Sequence, residues 1–277
     1  MAFVVDRLLP EDLDAGLRLS TQAGWNQVAA DWKRVLDLFP DGVFAGRLDG
    51  RVVATASVSS FGRDATWIGL ILVDAALRGR GYGATMFARA IERARDVAGD
   101  AVGLDASDLG RPVYLKKGFV DVAPIDRWSG VLKEAGPSSS VESLSASSLD
   151  ALASLDKEAC GANRRRLLRH LLEDPSVSGF WTPREGYAIL YPGRLHAHLG
   201  PVVAAHDDVL SQLLRRAARL LNGAEVVIDA LRTPSTSSIL EAHGMRIVRE
   251  LTRMTWSHPQ RLLMGPAARA AVSFTWG

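Results

Sequence analysis

A chain of 277 residues has room for two domains of ordinary size. A formal charge of +2, with 47% hydrophobic and 23% charged residues, fits a globular protein and excludes nucleic acid as the main partner. A single cysteine, Cys160, excludes an internal disulfide framework and suits a reducing compartment; with Asp6, Glu11 and Asp12 too early for a signal peptide and no apolar run of about 18 residues, a cytoplasmic protein without membrane spans is expected.

Phe3-Val4-Val5 is predicted as a first strand. Pro10-Glu11-Asp12-Leu13 opens a helix with its acidic residues at the positive end, and Leu13, Leu17 and Ser20 share a face. The stretch Ala23-Gly24-Trp25-Asn26-Gln27 breaks that helix, and a second amphipathic segment runs from Trp32 to Phe39, ended by Pro40. Residues 44–48 and 52–58 flank Asp49-Gly50, a hairpin dipeptide. Trp67 to Val73 is a short apolar run with the pattern of a strand buried on both faces. The turn Arg78-Gly79-Arg80-Gly81-Tyr82-Gly83 leads into a helix with Phe87, Ala90, Ile91 and Ala94 on one face. Ala101 to Leu104 reads as a strand, Pro112 to Lys117 as a short helix stopped by Gly118, and Phe119 to Ala123 as a strand continuing towards Arg127-Trp128. A polar, Ser-rich linker over 133–148 separates residues 1–132 from 149–277.

The segment from Trp67 to Arg95 carries the chemistry. Gly79, Gly81 and Gly83 let the backbone turn sharply and approach a ligand closely. The helix that follows points free N–H groups and the positive end of its dipole into that turn. Strand, glycine turn and helix N-terminus together make an anion site, most often for phosphate, and Arg78 and Arg80 add paired cations that no structural role requires. The pattern is R-x-x-G-x-G, which is neither the dinucleotide fingerprint nor a Walker motif.

This turn resembles that of the GNAT superfamily of acyl-CoA-dependent N-acyltransferases, in which it cradles the pyrophosphate of coenzyme A. Tyr114-Leu115-Lys116-Lys117-Gly118-Phe119 is similar to the family's later Y-x-x-x-G-F motif, and Gly24-Trp25-Asn26 and Leu104-Asp105-Ala106-Ser107 look like one bacterial branch with a second GNAT-like domain. The resemblance implies an α/β (α+β) fold with two GNAT-like domains in tandem, each a mixed, mostly antiparallel sheet flanked by helices. The second half reads as a worn copy of the first. Gly118-Phe119 with Arg127-Trp128 matches Gly244-Met245 with Arg253-Met254 at the same spacing, and Leu104-Asp105-Ala106 matches Ile228-Asp229-Ala230. Leu72-Val73 matches Val202-Val203, and at that register Arg78, Gly81 and Gly83 fall on Asp208, Ser211 and Leu213, while Tyr114 falls near Leu240. One donor site, in the first half, is therefore expected. The second half is expected to shape the acceptor pocket or to be structural.

By the resemblance, the chain is an N-acetyltransferase moving an acetyl group from acetyl-CoA to a primary amine by direct attack in a ternary complex. The donor would be held by Arg78, Gly79, Arg80, Gly81, Tyr82, Gly83 and Ala84, with Leu72 and Val73 pairing with pantetheine like an added strand. Ser107, seven residues before Tyr114, stands where the family often has an Asn touching coenzyme A, so it departs from the pattern. A backbone N–H at Val73 or Asp74 is the candidate oxyanion donor. Tyr114 is the candidate general acid for the leaving thiolate, against the plainer reading of a ring packed on the sheet. An alkyl ammonium is neutral in only about one molecule in 2,500 at pH 7, so a base is useful. Asp74 and Asp105, at two strand ends, are the candidates, although capping the following turn is the more ordinary role for Asp105 and the one preferred for it. Trp25 and Asn26 are candidates for the acceptor pocket, with core filling the alternative for Trp25.

Other signals are weaker. Asn163 to Arg166 with Arg169 and His170 reads as a solvated helix face, His196 and His198 lack a third metal ligand, and Cys160 has no nucleophile context. No metal is expected. The acceptor is a small-molecule amine or a protein lysine or N-terminus, and a homodimer is left open. A non-catalytic acyl-CoA-binding regulatory module is the alternative.

Overall fold

The computed structural model describes residues 2–98, 101–133, 141–257 and 265–277. Strands and helices follow the expected order. The first half runs β1 (Phe3–Arg7), α1 (Leu13–Gln22), α2 (Ala29–Leu38), β2 (Val43–Leu48), β3 (Arg51–Ser60), β4 (Thr66–Val73), α3 (Tyr82–Ala98), β5 (Ala101–Ala106), α4 (Arg111–Leu115) and β6 (Phe119–Val131). The second runs β7 (Glu142–Ser143), α5 (Leu149–Cys160), α6 (Arg165–Leu172), β8 (Ser178–Thr182), β9 (Gly186–Tyr191), β10 (Ala197–Ala204), α7 (Asp207–Leu221), β11 (Glu225–Leu231), α8 (Pro234–Ala242), β12 (Arg246–Ser257) and β13 (Ala268–Ala270). The Asp49-Gly50 hairpin has both residues at positive φ, as a type I′ turn requires. Of the Ser-rich stretch, 134–140 lies outside the described residues, while Glu142–Ser143 pairs with β8 as an edge strand.

The sequence suggests a separate sheet for each half. The structure joins them in one mostly antiparallel sheet of 13 strands, ordered β1-β2-β3-β4-β5-β12-β6-β11-β13-β10-β9-β8-β7. The sixth strand of each half has crossed over. β12 lies against β5 of the first half, β6 lies against β11 of the second, and β6 and β12 pair at the centre.

Two ion pairs lock this exchange, and they are the residues of the internal repeat. Arg253 stands directly opposite Asp105 across β12 and β5 and holds it through Nε and Nη2 at 2.9 and 3.1 Å. Arg127 stands opposite Asp229 across β6 and β11 and holds it at 2.7 and 2.8 Å. Each guanidinium lies over an aromatic ring, Arg253 over Trp67 and Arg127 over Phe274. Burial pushes Asp105 up by more than Arg253 pulls it down. Burial also opposes ionisation of Asp229, but Arg127, His198 and a backbone N–H from Phe274 outweigh it and hold that carboxyl low.

The sheet is covered on both faces. Met86, Phe87, Ala90, Ile91 and Ala94 of α3 pack on Phe44, Ala54, Ala56, Val58 and Ile68 of β2–β4. On the other face Ala45, Val52, Leu70 and Leu72 meet Leu19, Trp32 and Val35 of α1 and α2, in one core with α5 and α6. The period of two in β2–β4 thus serves two cores, which is why these strands read as continuous apolar runs. Leu210, Leu213, Leu214 and Ala217 of α7 cover the second half as α3 covers the first. The expected solvated basic face holds only in part. Arg164 is buried, bound through two nitrogens to the buried Asp156, which also accepts from Tyr187.

Candidate active site

β4 and β5 are parallel and pair only at Thr66–Val102 and Trp67–Gly103. Beyond that point they diverge, and the gap is a cleft of about 100 Å³. A bulge shapes the β4 side: the register with β3 shifts between Thr55 and Ser57, Leu70 has φ of +48°, and the Thr55 hydroxyl donates to the Leu70 carbonyl at 2.8 Å. The Asp74 N–H donates to the Val53 carbonyl at 2.8 Å. Antiparallel ladders alternate, so the next pair, Ala54–Val73, is the non-hydrogen-bonded kind, and the Val73 N–H and C=O face away from β3. Of the two backbone donors expected for an oxyanion, Asp74 is therefore spent on β3, and Val73 turns away from it, two residues beyond Ile71, where β4 stops lining the cleft.

The strand end runs into the glycine turn. Gly79 and Gly81 have φ of +77° and +84°, and a Cβ at either would meet nothing within 4 Å, so these glycines serve the backbone and leave the space above it open. Gly83 differs: a Cβ there would touch the Val73 side chain at 3.5 Å. Helix α3 begins at Tyr82, whose ring stacks on Phe3, and its first N–H groups, across Tyr82, Gly83 and Ala84, lack intrahelical partners. Arg78 and Arg80 are exposed, with Arg78 Nε donating to the Val73 carbonyl at 3.3 Å.

Tyr114 lines the cleft, its ring held against Phe87 at 4.5 Å and backed closely by Gly110. Its hydroxyl has no hydrogen-bond partner among the described residues. Burial raises its pKa to about 12, so the phenol keeps its proton through the physiological range. The ring packs against Phe87, as the plainer reading has it, and the residue also lines the cleft. Ser107 lines the cleft and holds the turn into α4, its carbonyl accepting from Gly110 and Arg111.

The expected carboxylates are both engaged. The Asp105 carboxylate lines the cleft but belongs to the Arg253 pair. It does not cap the turn into α4, which Ser107 holds, because a buried guanidinium opposite it takes both oxygens. Asp74 caps the short turn after β4, accepting from the Ala76 N–H at 3.1 Å, Arg18 at 3.0 Å and Gln22 at 3.4 Å. Burial works against its ionisation, but those donors outweigh it and hold the carboxyl below the usual range.

Trp25 lines the cleft, half-buried. Asn26 does something else: its amide donates to the His196 carbonyl at 2.9 Å and accepts from the Leu195 and His196 N–H groups at 2.8 and 3.2 Å. It clamps a loop of the second half. The rest of the wall comes from residues that were not site candidates in the sequence, Arg127 having figured only in the internal repeat. Arg127, Arg249, Leu251, Phe274 and Thr275 complete the cleft, and the Thr275 backbone lies so close to Gly69 that a Cβ there would stand 2.8 Å from its carbonyl. Sharing Gln27, Leu70, Arg127 and Thr275 with the cleft is a small inner chamber of about 20 Å³, room for about one water, lined also by Asp31, Arg34, Tyr191 and His198. His198 stacks on Tyr191, and burial lowers its pKa to about 4, so the ring is neutral. Among the described residues no cluster of three metal ligands occurs, and no helix is long and apolar enough to cross a membrane. The Cys160 thiol is pushed up to about 12 by burial.

The second half repeats the divergence but fills it. β10 and β11 pair in parallel at Ala197–Val226 and His198–Val227, and beyond that β13 lies between them, pairing with both. Where the first half leaves a backbone edge open, the second satisfies it with its own chain. Asp208 stands in place of Arg78 on α7, and the positions matching Gly83 and Tyr114 are the buried Leu213 and Leu240.

Residues 13–119 match the family model described as the acetyltransferase (GNAT) family, and 152–263 match one described as an acetyltransferase (GNAT) domain. The chain is 25% identical over 212 residues to the holothin acyltransferase of Pseudoalteromonas sp. (strain SANK 73390), covering 74% of this chain and 71% of that protein. It is 26% identical over 260 residues to an uncharacterized N-acetyltransferase of Bacillus subtilis (strain 168), covering 86% and 87%. The structure of an acetyltransferase candidate from Pyrococcus horikoshii superposes with a TM-score of 0.86 at 21% identity, covering 99% of this chain and 96% of that one. A tandem GNAT protein from the clavulanic acid biosynthesis pathway superposes with a TM-score of 0.65 at 15% identity, covering 92% and 98%.

Proposed function

The chain is a tandem member of the GNAT acetyltransferase family, and from that premise we propose that it is an N-acetyltransferase that uses acetyl-CoA and a primary amine. The observation that carries this reading is the cleft between β4 and β5, open at a positive-φ glycine turn and lined by Tyr114. The residues present fit the donor. The Val73 edge suits the amides of pantetheine as an added strand would, and the turn from Arg78 to Ala84 suits a pyrophosphate. In this reading residues 1–132 hold the donor and residues 149–277 wall the acceptor side.

Acetyl-CoA supplies an activated acyl thioester. In this reading the Val73 N–H, turned away from β3, stabilises negative charge on the thioester's carbonyl oxygen. The amine attacks the acyl carbon, so that a C–N bond forms and the C–S bond breaks. Tyr114 gives its proton to the leaving sulfur and is reprotonated from water. The proton shed by the amine also goes to water, since Asp74 and Asp105 are held by arginines.

Isothermal titration tests the donor site. Wild type is expected to bind acetyl-CoA at micromolar concentration, and Arg78→Ala/Arg80→Ala to bind it about tenfold or more weakly. Tyr114→Phe is expected to retain that affinity and lose about 10²- to 10⁴-fold in kcat. No binding by wild type overturns the reading. One observation favours a second reading, an acyl-CoA-binding regulatory module: both candidate bases are committed elsewhere. Binding without CoA release across a broad amine screen selects it.

A further inference from the structure

Around the exchanged strands, neighbouring arginines have carboxylates. Arg127 has Asp229, Arg253 has Asp105, and the exposed Arg232, just past β11, has Asp126 and Glu250. Arg249 has none. It lies on β12, half-buried, and lines both the cleft that holds Tyr114 and the outer groove formed with Ser107, Asp108, Leu109, Ile247, Val248 and Glu250. Among the described residues it makes no ion pair or hydrogen bond. Its cross-strand partner is Arg127, so two guanidinium groups stand opposite one another in the wall of one cleft. Like charges directly opposite destabilise a sheet.

Asp229 lies near but is taken by Arg127 through both oxygens, and Glu250 is drawn away by Arg232. Burial and the field of Arg127 lower the Arg249 pKa, the response of a cation without a counter-ion. The lining of the cleft itself thus holds two cations, Arg127 and Arg249, and one carboxylate, Asp105, which Arg253 already holds, and a guanidinium presents a planar fork that matches a carboxylate.

We infer that Arg249 receives a carboxylate carried by the acceptor, so that the substrates are amines that are also carboxylates: amino acids or small amino carboxylates. The inference rests on the acyl-transfer reading above. The transfer is unchanged in its balance, a C–N bond replacing the C–S bond, and its product is an N-acetyl amino carboxylate. A phosphate of the donor is the other anion that could meet Arg249. The acceptor is preferred because the open glycine turn with Arg78 and Arg80 already serves the donor at the end of β4, whereas Arg249 lies on the strand that borders β5.

The test measures release of CoA thiol from acetyl-CoA with the standard L-amino acids and β-alanine, each beside its own carboxamide. For the best substrate, wild type is expected to favour the acid over the amide by about 10- to 100-fold in kcat/KM. Arg249→Gln should cut that ratio about tenfold or more, through the KM of the acid, and Arg249→Lys should keep part of it. Because Arg249→Gln removes a like-charge opposition, its melting midpoint should be no lower than that of wild type, which separates a lost contact from a lost fold. Equal use of acids and amides by wild type overturns the inference, as does a ratio unchanged in Arg249→Gln. So does turnover of neutral amines alone. Titration with acetyl-CoA runs alongside. If wild type fails to bind it, the donor reading has failed. If wild type binds it but no acid or amide reacts, the donor site stands and this inference is overturned. If Arg249→Gln binds acetyl-CoA more weakly and keeps its preference for acids, the anion is the donor's phosphate and the inference is again overturned.

Discussion

Tyr114 is half-buried and His198 fully buried, and desolvation favours the neutral form of each. For the phenol that means a pKa of about 12 and a proton retained through the physiological range. For the imidazole it means a pKa of about 4 and no charge in the inner chamber. The histidine has a consequence for stability. Its folded pKa lies below the unfolded value of about 6.5, so the unfolded chain binds more protons between those values, and stability falls as pH drops through that window. Between pH 7.5 and pH 5 this group alone should cost about 2 kcal/mol. Urea unfolding at the two pH values should show that loss in wild type and a smaller one in His198→Phe, which keeps a ring against Tyr191. Catalysis should show a different pH dependence. With Asp74 and Asp105 committed, kcat/KM should climb with the ionisation of the amine itself, and changing to an acceptor of lower pKa should move that limb down by the same amount. A limb fixed between pH 5 and 7 whatever the amine would reveal a base among groups not assigned here.

At the scale of elements, the donor side and the exchanged strands differ in how they are held. The turn from Arg78 to Gly83 needs only backbone freedom and open space, so its function can be lost with little loss of fold. The strands β6 and β12 are held by buried charge. Asp105→Asn leaves the Arg253 guanidinium, 1% exposed, without its counter-ion, and breaking a buried pair in this way typically costs about 3–5 kcal/mol. Replacing both partners, Asp105→Leu with Arg253→Met, should recover most of that, because an apolar pair carries no desolvation penalty. Unfolding free energies of the single and double variants check this. A double variant as unstable as the single one would mean that the pair also dictates which strand lies beside β5.

For the whole molecule, the exchange makes each half depend on the other. β5 without β12, and β11 without β6, would expose a long unpaired edge and the apolar face above it. Residues 1–133 expressed alone should therefore be aggregated or lack a cooperative melt, and the full chain should unfold in one transition by both circular dichroism and tryptophan fluorescence. Two separate transitions would show that the halves fold alone and dock later.

What the sequence determined is local. The apolar runs of β2–β4, the Asp49-Gly50 hairpin and the glycine turn follow from period, turn chemistry and backbone freedom, which neighbouring residues set. The repeat of Asp105 with Arg127 in Asp229 with Arg253 was also visible, but it did not say which Asp meets which Arg. Only the tertiary structure decided that each pair is made between halves, because strand partners are chosen by packing across the whole sheet and not by the strand's own residues. The same reason explains the site. Tyr114, Val73 and the turn lie on consecutive elements and could be read in order. Asn26 became a clamp, Asp105 a latch and Arg249 an unpaired cation only because distant strands arrive beside them, and a charge has no role until its neighbours are known.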